Sequence, residues 1–387
     1  MSMPLLYGQL HTQLSQWINP KDKRHLRAYA ENIAAILQSK SGCLSHWLSY
    51  LSHRGCQARS HMQRHHYFVH NPNITTEILY EPLLRQFLQG WAGMSMTLTL
   101  DTSMLWDEYC LIEVCLAWGG RSIPLSQMVI EHGSATVAFQ DYVKVLETAQ
   151  AVLPDACEIT LLADRGFEHG ELIRWLRTQQ WSWAIRAKSD LKITLANGQT
   201  TSVANLLPPA EQAHLVKDVT ILKDIECHLA AATLTMAEES WAVITDTSPS
   251  LQTFALYGQR FGGIEPHFKD YKSAAFELPR SRVRDVAALN RLLMLLAAAT
   301  LIAIVVAVQV CAQGQRHSVD WHGQRGLSFL QIGLRHISQL CYTRRLLPPL
   351  TPLPPRNPPA ACASLKKRET LSIRIEFAKV TVFWVFH

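Results

Sequence analysis

The chain is 387 residues long, 48% apolar and 18% charged, which supplies a sizeable core and excludes global disorder. At roughly 150 residues per domain there is room for two or three. Its net charge of +6 is unevenly spread: residues 1–96 carry +5, residues 313–387 carry +8, and the stretch between them carries −7. An acidic centre between basic flanks fits a carboxylate-rich site acting on a polyanion, and it equally fits ordinary solvated charge. From the start, residues 1–13 lack a basic stretch followed by an apolar one, so no signal peptide is expected and the chain reads as cytoplasmic. Residues 21–39, 43–53 and 77–91 show helical spacing of apolar side chains, with a His/Arg-rich connection at 59–66. Three or four helices with basic loops over residues 1–95 fit a small helical DNA-binding domain or a plain helical bundle.

The period changes at Met96. MTLTLD, CLIEVCLAW and SIPLSQMVI are strand-like runs parted by short polar breaks, one of them Gly119-Gly120, and predict an antiparallel meander. A helix over 136–152, the strand EITLLAD, a helix over 168–178 and the strand SWAIRAK follow. Three strands, helix, strand, helix, strand is the order of a ribonuclease H-like α/β domain. Residues 189–240 interrupt it as a mostly β insertion; WAVITD returns to the main sheet, and a helix is expected over 251–276. The division is thus 96–188 and 241–312 for the core, 189–240 for the insertion, and 313–387 for a basic C-terminal region. Seven prolines in residues 348–359 predict an extended linker.

Residues 292–312 hold 21 residues without a formal charge, long enough for a bilayer and equally apolar enough for a helix buried on all sides. With no second span, the buried helix is the expectation, and no membrane partner. Nine cysteines form no Cys-x-x-Cys pair and there is no His-Glu-x-x-His, so neither a disulfide framework nor a zinc site is indicated.

Asp101 and Asp164 each end an apolar strand, where a sheet opens to solvent. If the two strands are neighbours, the carboxylates meet, and their repulsion is relieved by a cation. Oxygen donors without His or Cys favour Mg²⁺ or Mn²⁺, and a third carboxylate from the following helix would complete a two-ion site for phosphodiester chemistry.

The segments LTLDTS (98–103) and LLADRGFEHGELIRWL (161–176) resemble the first two acidic motifs of DDE transposases of bacterial insertion sequences. Tyr257-Gly-Gln-Arg260-Phe-Gly-Gly-Ile-Glu265, running on through PHFKDY to Lys272, resembles the Tyr-Arg-Glu-Lys signature of the IS-four type of that family. The resemblance covers roughly residues 20–310. It implies Asp101, Asp164 and Glu265 as metal ligands for two divalent ions, and Arg260 and Lys272 as contacts to transposon-end phosphates, with Tyr257 in support. It also implies cleavage at the ends of an element, strand transfer into target DNA, recognition of terminal inverted repeats in double-stranded DNA, and a homodimer in the DNA complex. An inactive, transposase-derived DNA-binding protein is the alternative.

One departure stands out. The family pattern has three residues between Arg and Glu; here there are four. On a continuous helix Lys269 and Lys272 share the face of Glu265, whereas Arg260 and Tyr257 rotate off it. A bulge at Gly262-Gly263 is expected to restore the register. Trp241, heading the strand before Glu265, is either a stacking surface for a DNA base or core. Arg165 and Glu168 either orient a ligand or cap the next helix, with capping expected of Glu168. The apolar run FAKVTVFWVFH at the end is an edge strand or an unstructured extension.

Overall fold

The computed structural model describes residues 5–51, 55–233, 240–321, 327–356 and 381–385. Helices α1 (Leu5–Leu14), α2 (Lys23–Ser39), α3 (Ala58–His70), α4 (Thr76–Leu79) and α5 (Glu81–Leu88) come first. Helix α2 starts where the Asp22 carboxylate accepts the Arg24 N–H at 2.9 Å, and it buries Leu26, Ile33, Ile36 and Leu37. Three local expectations change here. The 43–53 helix contracts to a 3₁₀ turn, Leu44–Tyr50. The 59–66 connection is not a loop but lies within α3, because it contains no glycine or proline and turns His61, His65, Phe68 and Val69 inward at helical spacing. The 77–91 helix divides, since Pro82 starts α5 afresh in its first turn.

Strands β1 (Ser95–Leu105), β2 (Tyr109–Trp118) and β3 (Arg121–Glu131) form an antiparallel meander. Gly119 and Gly120 make the β2–β3 turn with φ of 59° and 69°, as a two-residue primed hairpin requires. The β1–β2 turn places Trp106 and Asp107 in the same left-handed region, φ 53° and 58°, which side chains adopt at a cost. Helix α6 (Phe139–Val152) leads to β4 (Glu158–Ala163), α7 (Gly170–Thr178) and β5 (Ser182–Arg186). Strand β4 runs parallel to β1 and β5 parallel to β4. Strands β6 (Lys192–Thr194) and β7 (Thr200–Ser202), helix α8 (Val203–Leu206), and strands β8 (Gln212–Ile221), β9 (Ile225–Thr233) and β10 (Trp241–Thr245) extend the sheet. Its strand order is 3-2-1-4-5-10-9-8-6-7, so residues 189–240 widen the sheet and do not leave it. The fold is mixed α/β.

Helix α9 (Leu251–Lys269) opens at Ser250, whose hydroxyl accepts the Gln252 N–H. The 251–276 expectation shortens at its end, where the helix relaxes into a π-type turn, Asp270–Ala274. Helix α10 (Val286–Ala312) is long and apolar enough to cross a membrane, yet it lies inside the molecule with 89% of its most apolar window buried. Asn290 on α10 accepts the Val129 N–H at 2.9 Å and so covers the edge strand β3. Helix α11 (Phe329–Tyr342) crosses α10 at Gly333, where a Cβ would come within 1.8 Å of the Ala303 carbonyl oxygen.

The Pro-rich segment is extended, but through residue 354 it is docked and not a free linker. The Leu353 N–H donates to the Phe87 carbonyl (2.9 Å), the indoles of Trp91 and Trp118 donate to the carbonyls of Leu353 and Pro354, and the Leu350 N–H donates to Gln13 of α1. Of the C-terminal run, Thr381–Val385 form β11, parallel to β8 along its edge; residues 357–380 lie outside those described.

Because the Gly333 contact is with backbone, Gly333→Ala forces α10 and α11 apart. It is expected to lower stability by about 1–3 kcal/mol, read as an earlier midpoint in urea unfolding.

Candidate active site

Register brings the first two carboxylates together. Leu100 on β1 pairs with Ala163 on β4, so the next residues, Asp101 and Asp164, stand level. Asp164 follows the end of β4, but Asp101 does not close its strand as expected, because β1 continues to Leu105 paired with β2. Helix α9 lies on the same face, close enough that a Cβ on Gly263 would meet the Ser122 hydroxyl at 3.0 Å. Its inward stripe carries Tyr257, Arg260, Ile264 and His267, three or four residues apart.

The buried guanidinium of Arg260 is the meeting point. One terminal nitrogen lies 2.6 Å from an Asp101 oxygen and 3.6 Å from Asp164; the other lies 3.6 Å from Glu265. All three acidic residues expected to act together are therefore gathered on one arginine. Asp101 is the most enclosed, and its second oxygen accepts the Thr102 N–H at 2.9 Å. Burial pushes its carboxyl up to about 6, with Asp164 adding and Arg260 and the Thr102 N–H opposing. Glu265 projects from the flank of α9, half-exposed, and burial raises its pKa as well. Asp164 keeps one buried oxygen, Oδ1, without a hydrogen-bond partner.

The expected bulge at Gly262-Gly263 is absent: α9 is helical through both residues, and the widened turn comes later, at Asp270–Ala274. Arg260 nevertheless faces the site. It sits on the buried face, and its side chain is long enough to reach Glu265, which leans in from beside that face. Arg260 and Glu265 do lie on different faces of the unbroken helix, as the helical spacing predicts, but the inward face is that of Arg260, and Glu265 reaches it from the flank.

Around the arginine, Tyr257 is fully buried and its hydroxyl is pushed up to about 12 by burial. Trp241 is half-buried, stacked on Phe261 (centroids 5.2 Å apart, planes 26°) and edge-on to Tyr257 (5.9 Å). Lys269 is exposed at the end of α9. Lys272 falls in the π-type turn, half-buried on the side of Asp107 in the β1–β2 turn, and burial lowers its pKa. Glu168 does not cap α7: its buried carboxylate accepts the Lys188 N–H at 2.6 Å, tying the start of α7 to the end of β5. Arg165 is exposed beside Asp164.

Sequence reasoning passed over a second polar group. Glu113 pairs with Asp101 across the antiparallel β1–β2 ladder and so shares its face. Its fully buried carboxylate lies 3.1 Å from Nε2 of His267, two turns of α9 beyond Arg260. The Cys115 thiol is beside them; the three donor atoms lie within 4.8 Å of one another, and burial holds the thiol well above its usual pKa. Asp270, one turn further, pairs with Arg121 at 3.2 Å. A lone Glu inside the apolar run CLIEVCLAW was the available signal.

The family model of the transposase DDE domain matches residues 109–302, half of the chain. The chain belongs to that family. No curated protein matches it. Among solved structures, the cryo-EM structure of a piggyBac transposase synaptic complex with hairpin DNA overlays at a TM-score of 0.45 and 12% identity, covering 89% of this chain and 82% of its own. The family match spans Asp164, Arg260 and Glu265, while Asp101 precedes its first residue.

Arg260→Gln leaves Asp101 buried without its cation. The loss is expected to be about 3–5 kcal/mol in chemical denaturation, and Asp101→Asn in the same chain should recover part of it, because the uncompensated charge is then gone.

Proposed function

We propose that this transposase is of the IS-four type, acts in the bacterial cytoplasm on double-stranded DNA, and cuts and joins phosphodiesters with two Mg²⁺ or Mn²⁺ ions held by Asp101, Asp164 and Glu265. The observation that carries the reading is the convergence of these three side chains, from β1, the end of β4 and α9, on one buried guanidinium. With all three ionised, the cluster and Arg260 together carry −2, a charge suited to hard divalent cations. The partnerless Asp164 oxygen is a free donor in the same place. The strand order 3-2-1-4-5, with α9 across it, is how we assign a ribonuclease H-like core, with the insertion at 189–240 and the N-terminal helices as a DNA-binding domain.

When bound, such ions activate the attacking oxygen and stabilise the departing one. The chain's own groups do the rest. Arg260 presents a planar fork that suits a phosphate as well as it suits Asp101, so a DNA phosphate competes with the carboxylates for it. Tyr257 and Phe261 wall the arginine in, and Trp241, already stacked on Phe261, offers its ring to an unpaired base. Lys269 and Lys272 add phosphate contacts beyond the cluster. The freed 3′-hydroxyl then attacks target DNA in the same site, and two protomers holding the two ends form the working complex. The extra residue before Glu265 motivated an inactive DNA-binding alternative, but that residue does not take Arg260 away from the acids.

The test uses duplexes bearing the native ends that flank the coding sequence, with Mn²⁺ or Mg²⁺. Asp101→Asn, Asp164→Asn and Glu265→Gln should each slow cleavage by about 10³-fold or more while leaving duplex affinity nearly unchanged. Cleavage by the Asp164→Asn chain at the unmodified rate would refute the assignment; no cleavage by the unmodified chain would favour the inactive alternative.

A pH dependence follows. Asp101 has its pKa raised to about 6 in the metal-free chain, so below that pH its proton must leave before a cation binds. Mn²⁺ affinity, measured by titration calorimetry, should be flat above about pH 7 and fall by up to about tenfold per unit below 6.

A further inference from the structure

A groove of about 650 Å³ separates the N-terminal helices from the segment that follows α9. His46, His66 and His70 line one wall; Arg280, Arg282 and Arg284 line the other. Arg282 is exposed at φ 56°, and the side chains of Arg280 and Arg284 are 66% and 45% exposed. Arg280 pairs at 2.9 Å with Glu277, so phosphate binding there competes with that carboxylate. The groove's one acidic liner, Asp285, is committed to capping α10, where it accepts the Ala288 N–H at 2.7 Å. Helix α3, which supplies His66 and His70, contains Arg59 and Arg64 and no acidic residue.

The groove is also anchored to the catalytic strand. The guanidinium of Arg284 lies over the Trp106 ring at 3.9 Å and near Glu108 at 3.5 Å, and the Trp106 indole donates to the Pro279 carbonyl at 3.2 Å. Trp106 is the first residue past β1, which carries Asp101. Four residues of strand, about 13 Å, separate Asp101 from the end of β1, roughly four base steps along a DNA strand. Lys272 lies on the side of Asp107, in the same β1–β2 turn as Trp106.

We propose that this groove holds the sugar-phosphate backbone of the same DNA duplex whose phosphodiester is cut at the acidic cluster, so that the β1–β2 turn lies under the DNA between the two. Arginine forks and imidazole N–H groups donate to phosphate oxygens without reading bases. The proposal rests on the transposase reading, and it adds a binding surface shared by the N-terminal helices and the catalytic half.

The experiment measures the full chain binding an arbitrary duplex of about 30 base pairs by fluorescence anisotropy over a range of salt. Arg280→Gln with Arg282→Asn, the latter chosen because Asn tolerates positive φ, should weaken binding about tenfold and lower the salt slope by about 2. The charge-matched pair Lys192→Gln with Lys223→Gln, on exposed sites at the far end of the sheet, should change neither. Amide exchange should slow over residues 58–70 and 278–285 when DNA is added. Equal losses from the two pairs, or an unchanged slope with no added protection, would overturn the groove while leaving the transposase reading intact. If the unmodified chain bound no duplex at all, both would fail.

Discussion

Three carboxylates, two from adjacent inner strands and one from the helix above them, repel one another, and the guanidinium of Arg260 is what allows them to share that space. It does so from a buried position, where an unpaired charge is costly and a paired one is tightly held. The acids are unequally satisfied: Asp101 takes the short contact and a backbone N–H, whereas Asp164 and Glu265 stand a full ångström further off. The cluster is therefore cohesive and still electrically incomplete, a state from which a cation or a phosphate can each gain by entering.

That arrangement depends on how α9 is seated. Its inward stripe alternates charge and close contact: Arg260 on Asp101, Gly263 against Ser122, His267 on Glu113, and, in the π-type turn, Asp270 on Arg121. Asp101 and Glu113 are cross-strand partners, so the two carboxylates fix the helix at one height on two adjacent strands. A side chain larger than glycine at 263 would lift the helix, and a slip of one residue would unmake both pairs. Glu265 needs no partner of this kind because it projects from the flank that the stripe leaves open.

Much of this was legible in the sequence. Two aspartates in apolar strands, with a Tyr-Arg-Glu-Lys segment downstream, indicate which acids belong together, although only Asp164 closes its strand and Asp101 lies within β1. What could not be read was register, since adjacency of β1 and β4 arises from pairing across more than 60 residues. Nor could the inward face of α9 be read: Arg260 and Glu265 lie on different faces, as their spacing predicts, and it is the stripe of Arg260 that packs on the sheet. Helix α3 was hidden by its histidines, which look like loop residues until their four-residue spacing is noticed. Glu113 and His267 were hidden for the opposite reason, being single polar residues inside elements otherwise read as core.

The docked strap at residues 347–354 ties the two ends of the described fold together. Gln13 of α1 accepts the Leu350 N–H, and Trp91 and Phe87 hold Leu353, so α1 and α5 are closed over by residues that lie 337 positions after Gln13 and 262 after Trp91. During synthesis α1 and α5 must wait, with those positions uncovered, until the strap has emerged after the whole of the sheet strands β1 to β10. A nascent transposase of this build thus carries α1 and α5 uncovered while strands β1 to β10 are being made.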